Sequence, residues 1–548
     1  MRLTDPRNLV LTGFMGCGKS AIGREVARRM GRAFVDTDQL IETRTGRSIP
    51  DIFARDGEAA FRALEAEICR ELGVAQDLVI ATGGWTLGTP ENRAAIAVNS
   101  LVICLRADAV TLIERLGSAE GRPMLADQDW QARLRGLLAR RLPVYLSFPL
   151  QVNTANLSVG QAADRVLALW ETFGPDGAEQ LPASLPVTYG EDGYSVLIGD
   201  GLLEQAGVLL AAAGRWSGIA VISDQVVEPL YVPQLTAALQ RAAQPPCSAA
   251  AMGHPISATM PAGEAYKTLE TVTQLYATLL AGGLDRGGLI LALGGGVVGD
   301  VAGFTAATYM RGVALAQLPT TLLAMVDSSV GGKTGVDLPY GKNLVGAFKQ
   351  PVTVLIDPLV LKTLPDAELR AGMAEVVKAG VIGDPELFAR LERGAIADMA
   401  WLIHRAVAVK IAVVEADPYE RGYRAVLNLG HTFGHAFELL SEYRMRHGEA
   451  VAIGMAVAAQ LAARLGLCQI ETAQRIIGTL QRLGLPTAVP AYPAETIWEA
   501  MTHDKKKRDG RLRFVLPHAI GHVAIHDDVP REQVLEVLEM LKEGDRVS

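Results

Sequence analysis

The sequence lacks histidine before His254, although it contains nine histidines in 548 residues. The chemistry of the N-terminal half must therefore run without imidazole. That condition suits phosphoryl transfer, which depends on positioning and charge neutralisation, better than acyl transfer or a histidine-ligated metal site. Cysteine is also scarce, and an odd, scattered set favours a reducing compartment over disulfide bonding. The five cysteines are Cys17, Cys69, Cys104, Cys247 and Cys468.

Long apolar runs and basic stripes are missing as well. No uncharged apolar run reaches the roughly 18 residues that span a bilayer, so we expect no membrane association. The start of the chain has no apolar segment of the signal-peptide type, which predicts a cytoplasmic protein. The net charge of −8 and the single basic cluster, 505–508, argue against nucleic acid as a partner. The length predicts three or four domains.

A phosphate-binding pattern lies near the N-terminus. The apolar segment 8–12 reads as a strand, a glycine-rich turn follows it, and a helical pattern begins near Ala21. In that context the turn predicts a P-loop rather than a glycine-rich turn with a solvated lysine. Its amide groups would face phosphate oxygens, with Lys19 on the β- and γ-phosphates and Ser20 on Mg²⁺. We predict that ATP and Mg²⁺ contact Gly16, Cys17, Gly18, Lys19, Ser20, Ala21 and Asp36.

With its downstream companions, this segment resembles shikimate kinase over about the first 170 residues. Asp38 resembles the residue that holds the shikimate hydroxyls and orients the attacking oxygen, although a helix N-cap at Asp38 is an alternative. Arg62 and Arg141 match the arginines that clamp the substrate carboxylate, a task suited to a planar bidentate donor. Arg122 resembles the lid arginine that meets the transferring phosphate. The resemblance implies that shikimate contacts Asp38, Arg62, Gly83, Gly84 and Arg141, and that Lys19, Asp38 and Arg122 are catalytic.

One position departs from this family. Where the family has three consecutive glycines, the chain has Thr82, Gly83, Gly84 and then Trp85. A non-glycine residue forced to a positive φ costs about 1–3 kcal/mol. We therefore expect an impaired but measurable kinase that Trp85→Gly would improve. A degenerate kinase domain, retained as a binding or dimerising module, is the alternative.

A segment rich in proline, glycine and polar residues, 173–186, interrupts the chain and predicts a domain boundary. Beyond it, short apolar strands alternate with helical patterns, which is typical of an α/β domain, and from about Leu359 the chain reads as mainly helical. We predict an α/β protein with four segments. These are a P-loop kinase domain with a parallel sheet (1–172), a linker (173–186), a Rossmann-like NAD-binding domain (187–358) and a mainly helical metal- and substrate-binding domain (359–548).

Two glycine-containing segments of the second half indicate ligand sites. Gly294-x-Gly296-x-x-Gly299 follows an apolar strand and matches a dinucleotide fingerprint, but no acidic residue lies about 20 positions further on. Asp224, at the end of another strand, is an alternative ribose ligand. The apolar run 315–326 predicts a buried strand, so that Asp327 and the polar segment 328–334 would emerge at the ligand-binding edge of a sheet.

Metal-ligand candidates lie in the helical segment. Glu375 and Lys378 are three residues apart in an otherwise apolar helix, so they share a face that we expect to be buried. They could form a structural ion pair, but a coordinated carboxylate is favoured. His431 and His435, four residues apart, could both bind one ion. From spacing alone, His435 and Glu449 both remain open as the third ligand.

Together with Gly263-Glu264-Ala265-Tyr266-Lys267 and His431-Thr-Phe-Gly-His435, these segments resemble 3-dehydroquinate synthase over residues 187–548. The resemblance implies Zn²⁺ or Co²⁺ on Glu375, His431 and His447, with His435 catalytic or in contact with substrate. It places NAD on Asp224, Glu264, Lys267, Gly295, Gly296, Val297, Asp300, Thr320, Thr321, Lys333, Lys342 and Thr363. It places substrate on Arg311, Asp327, Lys333, Asn343, Lys378, Lys410, Arg424, Asn428, His435, Lys505 and Lys506, and makes Asp327, Lys333, Lys378, Lys410 and His435 catalytic.

The implied reaction is the cyclisation of 3-deoxy-D-arabino-heptulosonate 7-phosphate to 3-dehydroquinate with loss of phosphate, in which NAD⁺ is not consumed. The phosphate and carboxylate of that substrate account for the many cationic residues of the site. Lys507 and Arg508 fit a solvated turn instead. Small-molecule substrates and a homodimer formed through the synthase half are expected. Another sugar-phosphate cyclase, or a metal-dependent polyol dehydrogenase on the same scaffold, is the rival interpretation.

Overall fold

The structure is a computed structural model that describes residues 6–118, 123–125, 129–174, 181–505 and 512–542. For residue 123 and residues 503–505, only the backbone is described. The predicted lid arginine Arg122 lies outside the described residues, as do Lys506, Lys507 and Arg508. Lys505 ends a helix, and nothing is described of its side chain.

The N-terminal part is a five-stranded parallel sheet with strand order β2-β3-β1-β4-β5. Its central strand is buried throughout, since every residue of Asn8-Leu-Val-Leu-Thr-Gly13 is shielded from solvent. The strands are β1 (Asn8–Gly13), β2 (Ala33–Asp36), β3 (Leu78–Ala81), β4 (Ser100–Arg106) and β5 (Gln151–Asn153). The helices are α1 (Lys19–Met30), α2 (Thr37–Thr45), α3 (Ile49–Val74), α4 (Pro90–Ala97), α5 (Ala109–Leu116), α6 (Trp130–Leu146) and α7 (Val159–Phe173).

The middle part is a seven-stranded sheet with order β6-β7-β14-β11-β10-β8-β9, in which only the β6–β7 pair is antiparallel. A separate antiparallel hairpin, β12–β13, lies between β11 and β14 along the chain. The strands are β6 (Ala183–Tyr189), β7 (Asp192–Ile198), β8 (Ile219–Asp224), β9 (Ile256–Met260), β10 (Leu289–Gly294), β11 (Ala314–Pro319), β12 (Lys333–Leu338), β13 (Gly341–Phe348) and β14 (Thr353–Ile356). The helices are α8 (Leu202–Ala213), α9 (Glu228–Ala243), α10 (Leu269–Ala281) and α11 (Gly296–Thr308).

The C-terminal part is a helical assembly built around α16, whose alanine-rich sequence is buried along most of its length because small side chains allow neighbouring helices to approach closely. The helices are α12 (Asp366–Gly383), α13 (Pro385–Glu392), α14 (Met399–Ala416), α15 (His431–Leu440), α16 (His447–Arg464), α17 (Ile470–Arg482), α18 (Ala494–Lys505) and α19 (Arg531–Met540). One hairpin, β15 (Phe514–Ala519) with β16 (His522–His526), packs on these helices. The predicted α/β fold class, with a mainly helical final segment, is confirmed.

Two predictions of local structure are wrong, and one element was not predicted. The run 315–326 is not one strand, because β11 ends at Pro319 and Asp327 lies in a π-helical turn, Ala324–Ser328. The hairpin β12–β13 was not predicted, although it carries several candidate site residues. The predicted linker, 173–186, ends too late, because residues 183–186 already belong to β6 and pair with β7. The remaining domain boundaries stay a prediction.

The two halves pack against each other through α6, α7 and β5 on one side and β6, β7 and α8 on the other. Several contacts join a side chain of one half to the main chain of the other. Ser184 and Ser195 both donate hydrogen bonds to the carbonyl of Leu146, at 2.8 and 2.9 Å. A cleft of about 410 Å³ remains between the halves, and neither Lys19 nor Glu375 lines it. Within the described residues, no helix is long and apolar enough to cross a membrane.

Candidate active sites

The first candidate site lies where β1 passes through the glycine-rich turn into α1. Gly18 adopts a left-handed conformation with φ 97° and begins the helix. Lys19 donates hydrogen bonds from Nζ to the carbonyl oxygens of Gly13 and Phe14, both at 2.9 Å. Ser20 donates to Oδ2 of Asp36 at 2.6 Å. A lysine held over its own loop and a hydroxyl on a carboxylate are the arrangement expected for binding phosphates and Mg²⁺.

Asp38 faces this loop with an unsatisfied carboxylate. Asp36, not Asp38, caps α2, since its side chain accepts a hydrogen bond from the Asp38 amide at 3.1 Å. The alternative of an N-cap at Asp38 is therefore wrong. Oδ1 of Asp38 is buried and has no hydrogen-bond partner among the described residues. Burial raises the pKa of Asp38 to about 6, although Lys19 acts in the opposite direction. A carboxyl with this pKa can accept a proton near neutral pH.

Two arginines lie close to each other in this region, and one of them pairs with Glu65, whose charge acts on Asp38. Arg62 forms ion pairs with Glu58 at 2.8 Å and Glu65 at 2.6 Å. Arg141 is buried, and no ion pair to it is found in the described part of the chain. Burial lowers the pKa of Arg141, and the nearby charge of Arg62 lowers it further. Two guanidinium groups close together, one of them buried without a counter-ion, favour an anionic ligand between them.

The predicted strain at Trp85 is wrong. Its φ is −132°, not the positive φ that only glycine adopts freely. The indole stacks on Arg141, with Cζ 4.6 Å from the ring centroid, and makes an edge contact with Tyr145 at 6.0 Å. Gly88 leaves the space that the indole occupies, because a Cβ there would lie 2.2 Å from Cε2 of Trp85. The turn is thus built around the indole.

Gly83, two residues before Trp85, must lack a side chain for the site to form. A Cβ on Gly83 would lie 2.6 Å from Oδ1 of Asp38, so any side chain there would displace the carboxylate. Gly84 accepts a hydrogen bond from the Tyr145 hydroxyl at 2.6 Å. The structure therefore brings together the predicted Lys19, Asp38, Arg62, Gly83, Gly84 and Arg141, with Cys17 buried behind the loop and Ala21 exposed at the start of α1.

The second candidate site is a cluster of three metal-ligating side chains. Nε2 of His431 and Nε2 of His447 lie 3.8 and 3.7 Å from Oε1 of Glu375. That oxygen is buried and has no hydrogen-bond partner among the described residues. The other carboxylate oxygen pairs with Lys378, and both side chains are buried, which confirms the buried face predicted for α12. Two imidazoles and one carboxylate around a shared point form a donor set that suits Zn²⁺ or Co²⁺.

Outer contacts orient both histidines toward Glu375. Nδ1 of His431 lies 3.2 Å from the carbonyl oxygen of Leu429, and Nδ1 of His447 lies 3.5 Å from Oε1 of Glu438. Such contacts fix the tautomer that leaves Nε2 to face a metal ion. Burial lowers the pKa of His431 well below its ordinary value, which keeps that imidazole neutral. Sequence reasoning missed Glu438, although it lies seven residues after His431 on the same face of α15.

Of the two alternative third ligands, one is adjacent to this cluster and one is not. His435, Glu438 and His447 also bring ligand atoms within 4.8 Å of one another, so His435 lies at the edge of the same site. Glu449 instead contacts Arg446, whose Nη1 lies 3.4 Å from its Oε1 at the start of α16. The structure does not bring Glu449 to the cluster.

Asp327 lies between two buried lysines. Lys410 donates hydrogen bonds from Nζ to Oδ1 of Asp327, at 2.6 Å, and to the Asp327 carbonyl oxygen. Burial alone would raise the pKa of Asp327, but Lys410 and Lys378 outweigh it and hold that pKa well below its ordinary value. Burial lowers the pKa of Lys410. The site thus contains closely spaced cationic side chains, and its own carboxylates neutralise only part of their charge.

The predicted dinucleotide residues gather at the carboxyl ends of β8, β10 and β11. Gly295 precedes α11, whose first turn offers amide groups to an anion. Oγ1 of Thr320 is buried and has no hydrogen-bond partner in the described part of the chain. Lys267 pairs with Asp300 at 2.6 Å and donates to Oδ1 of Asn343 at 2.5 Å. An orphaned hydroxyl beside a helix N-terminus fits a bound dinucleotide.

The remaining candidates for this ligand line the same edge. Asp224 accepts hydrogen bonds from the amides of Val226 and Val227, so it also shapes the turn after β8. Lys342 lies 3.3 Å from Glu264. Thr363 lies 2.5 Å from the Tyr231 hydroxyl. Gly296 and Val297 begin α11, and Thr321 accepts a hydrogen bond from the amide of Ala324.

The structure separates the predicted substrate residues into two groups. The buried Arg424 donates to the carbonyl of Pro418 at 2.9 Å and lies within electrostatic reach of Asp327. Lys333 pairs with Glu420 at the start of β12. Asn428 is exposed at the end of the turn that carries Arg424. Arg311 is not in this group, because it follows the C-terminal end of α11 at the opposite edge of the sheet. Within one chain the structure does not bring Arg311 to the other candidates, and its role at this site stays a prediction.

Comparison with known proteins gives matches to both halves. Family models described as "3-dehydroquinate synthase N-terminal" and "3-dehydroquinate synthase C-terminal" match residues 257–371 and 372–507. A model described as "Shikimate kinase" matches residues 15–170. A 3-dehydroquinate synthase of Synechococcus sp. is 44% identical over 376 residues, which cover 66% of this chain and 98% of that protein.

Two solved structures are similar to the second half. ValA (2-epi-5-epi-valiolone synthase) from Streptomyces hygroscopicus subsp. jinggangensis 5008, with NAD⁺ and Zn²⁺ bound, is 31% identical with a TM-score of 0.58. It matches over 65% of this chain and 98% of its own. A 2-deoxy-scyllo-inosose synthase complexed with carbaglucose-6-phosphate, NAD⁺ and Co²⁺ is 28% identical with the same TM-score, over 65% of this chain and 99% of its own.

Proposed function

The chain belongs to the 3-dehydroquinate synthase family and carries a shikimate kinase domain before it, and from this premise we infer that it is a bifunctional enzyme of the shikimate pathway. The first half phosphorylates shikimate to shikimate 3-phosphate with ATP. The second half converts 3-deoxy-D-arabino-heptulosonate 7-phosphate to 3-dehydroquinate and phosphate. The identity of 44% to a 3-dehydroquinate synthase, against 31% and 28% to the two other synthases, favours this activity over a rival cyclase.

The kinase assignment is carried by the unpartnered carboxylate oxygen of Asp38 beside the P-loop. Lys19 and the amides of the loop hold the phosphates of Mg·ATP, and Ser20 with Asp36 holds the Mg²⁺. Arg62 and Arg141 bind the carboxylate of shikimate, which replaces the counter-ion that Arg141 lacks. Asp38 then accepts the proton of the attacking hydroxyl, a role that its pKa of about 6 allows at neutral pH. These roles extend the geometry to the bound complex and remain our proposal.

The synthase assignment is carried by the convergence of Glu375, His431 and His447 on one point. The orphaned Oε1 of Glu375 fits a Zn²⁺ or Co²⁺ ion, and the edge around Thr320 and Gly295 fits NAD⁺. When bound, the metal polarises a substrate oxygen and NAD⁺ supplies reversible hydride transfer.

The residues of the chain bind and orient the substrate around these groups. We propose that Lys378, Lys410 and Arg424 neutralise its phosphate and carboxylate, since all three are buried cations. Asp327 holds Lys410 in place through two hydrogen bonds. His435, next to the metal ligands, is placed to move a proton at the reacting carbon or oxygen. Lys333 and Asn343 border the same site from the hairpin β12–β13.

Two further features are proposals. We propose a homodimer formed through the synthase half, because Arg311 can serve a site of this type only from a second copy of the chain. Arg311 is exposed and has a left-handed φ of 69°, as expected for a residue displayed on a tight turn. We also propose a cytoplasmic location, since all five cysteines are free.

An assay of the purified chain with each substrate separately tests the function. Shikimate should be consumed only with Mg·ATP, and the heptulosonate phosphate only with NAD⁺ and metal. Asp38→Asn should lower the first activity by about 10²–10⁴-fold and keep the second, whereas Lys410→Met should keep the first and lose the second. Failure of the wild-type chain in either assay, with the other intact, would refute that half of the assignment. A complementation experiment tests the dimer. A mixture of the Arg311→Ala and Lys410→Met variants should recover synthase activity only if each site takes residues from both copies.

A further inference from the structure

The cleft between the two halves belongs to neither candidate active site, yet both halves line it. Its volume is about 410 Å³, within the range of roughly 300–1,000 Å³ that small-molecule sites occupy. One wall comes from the end of β4, from α6 and from β5. The other comes from the β6–β7 turn, from α8 and from the start of β14. Boundaries between domains are preferred positions for such sites.

Arg106, the last residue of β4, supplies this cleft with a cation. Its Nη1 donates a hydrogen bond to Oε1 of Gln151 at 2.8 Å, and its Nη2 donates to the Gly193 carbonyl at 3.3 Å, so both acceptors are neutral. The charge of Asp192 reaches the guanidinium, but no ion pair to Arg106 is found in the described part of the chain. Burial lowers the pKa of Arg106. A guanidinium held by neutral acceptors among surrounding atoms favours an anionic ligand.

The other acidic residues of the cleft are engaged elsewhere. Asp108 accepts hydrogen bonds from the amide and the hydroxyl of Thr111, at 2.8 and 3.0 Å. Glu191 forms an ion pair with Arg135 at 2.9 Å. Arg215, which is exposed on the opposite wall, adds a second guanidinium to the cleft. An anion that enters between the walls therefore meets cations whose charge is compensated only in part.

Apolar side chains from both halves line the same cleft. Trp216 is among them, and its Nε1 donates to the Leu210 carbonyl at 2.9 Å, which fixes the orientation of the indole. Four leucines line the cleft as well: Leu105, Leu142, Leu197 and Leu209. Guanidinium groups beside apolar and aromatic side chains match a carboxylate that carries a flat apolar body.

The kinase wall of the cleft includes two residues that also shape the first candidate site. Phe14 belongs to the P-loop, and its carbonyl oxygen accepts a hydrogen bond from Nζ of Lys19 at 2.9 Å. Tyr145 donates from its hydroxyl to the Gly84 carbonyl at 2.6 Å. The rings of Phe14 and Tyr145 are in edge contact, with centroids 6.2 Å apart. A ligand that displaces either ring therefore acts on the positions predicted for phosphate and shikimate.

The opposite wall reaches the second candidate site through Gln350. Its side chain packs on the backbone of Gly332, because a Cβ on Gly332 would lie 2.7 Å from Cδ of Gln350. Gly332 directly precedes Lys333, and its carbonyl accepts a hydrogen bond from the Lys349 amide at 2.7 Å. Gln350 therefore connects the cleft with the start of β12.

We propose that the cleft is a binding site for a small carboxylate with a flat apolar body, that Arg106 holds the carboxylate, and that occupancy of the cleft changes both activities. A single ligand then contacts residues that support the P-loop and residues that support the synthase loop. Binding to the cleft is independent of the proposed function, whereas the effect on turnover rests on it.

An NMR titration that observes 3-phenylpropanoate in the presence of the full chain tests the binding site. Saturating shikimate is included, so that Arg62 and Arg141 are not available to the probe. The wild type should bind the carboxylate at least about tenfold more tightly than the matched uncharged alcohol, 3-phenylpropan-1-ol, because only the carboxylate forms charge-assisted hydrogen bonds.

Three variants locate the bound probe. Arg106→Gln should weaken binding of the carboxylate by a similar factor, about tenfold or more. Ala213→Phe, which fills the cleft from the end of α8, should abolish binding with Arg106 intact. Arg286→Gln, which removes an exposed arginine before β10, should bind like the wild type. Basal turnover of each variant, measured without the probe, shows that it has folded.

Steady-state kinetics of both activities with and without the probe test the coupling. In the wild type, 3-phenylpropanoate should shift the KM of each substrate by about fivefold or more, and the same probe concentration should have little effect on Arg106→Gln. No binding of the carboxylate, equal binding of the alcohol, unchanged binding in Arg106→Gln or Ala213→Phe, or binding that leaves either KM unchanged would each overturn the proposal. A wild-type chain that is inactive without the probe would refute the proposed function instead, and the NMR titration would still decide whether the cleft binds.

Discussion

Replacing Trp85 by glycine should weaken the kinase, the opposite of what the family pattern suggests. The indole packs on Arg141 with a Cζ-to-centroid distance of 4.6 Å, and its φ of −132° carries no strain that glycine could relieve. A cation–π contact of this kind contributes about 0.5–2 kcal/mol. Since about 1.4 kcal/mol is a factor of ten, its loss corresponds to roughly a 2- to 30-fold change in binding.

The effect should fall on shikimate rather than on ATP. Stacking on one face of a guanidinium leaves the N–H edge free for a carboxylate, so the indole orders Arg141 without blocking it. Trp85→Gly should therefore raise the KM for shikimate by the factor above, with kcat and the KM for ATP changed little. The matched variant Trp85→Phe, which keeps an aromatic face, should lie between glycine and the parent.

Steady-state kinase kinetics at varied shikimate measure this effect, and the synthase activity of the same preparation controls for folding. A Trp85→Gly enzyme with an unchanged or higher kcat/KM for shikimate would refute the stacking argument. A higher kcat/KM would mean that the indole hinders shikimate binding. A loss of both activities would instead indicate a folding defect. The Trp85→Phe variant would then test the stacking argument.

Three other predictions follow from the two sites. The kinase kcat/KM should fall about tenfold per pH unit below pH 6 as Asp38 becomes protonated, and Asp38→Asn should lower kcat by about 10²–10⁴-fold; a flat profile would exclude Asp38 as the base. Chelation should abolish synthase activity, and added Zn²⁺ or Co²⁺ should restore it. His447→Ala should hold one Zn²⁺ fewer, whereas His435→Ala should keep its zinc but lose turnover. Unchanged zinc in His447→Ala would overturn the ligand assignment. The fragment 181–548 should be soluble with near-normal synthase turnover, and 187–548, which lacks part of β6, should melt at a lower temperature; aggregation of both would indicate an obligate interface.

The sequence predicted the parts of each site that depend on local spacing. The P-loop follows from glycines at fixed offsets between a strand and a helix, and the buried face of Glu375 and Lys378 follows from helical periodicity. The convergence of Glu375 with His431 and His447 was implied by the family resemblance, because spacing alone left the third ligand open. The P-loop and the buried helix face need no knowledge of which distant segments meet.

Contacts between distant segments explain what the sequence did not predict. Glu438 orients His447 from another helix, and Gly88 makes room for the indole of Trp85, but no local sequence pattern pairs either residue with its partner. Asp327 lies in a π-helical turn because the chain leaves the strand early, at Pro319, and apolar periodicity cannot separate a strand from a buried helical turn.

The linker illustrates the same limit at the scale of whole domains. Its proline and glycine content correctly indicates a break in regular structure, but composition says nothing about the faces on either side of it. Those faces meet through side chains that bond to main-chain carbonyls: Ser184 and Ser195 to Leu146, and the buried Arg165 to Cys247. Carbonyl groups are present at every residue, so such partners leave no trace in the sequence. Separating the halves would break the hydrogen bond between the buried Arg165 guanidinium and the Cys247 carbonyl. We therefore expect each half to be less stable alone, even if each remains active.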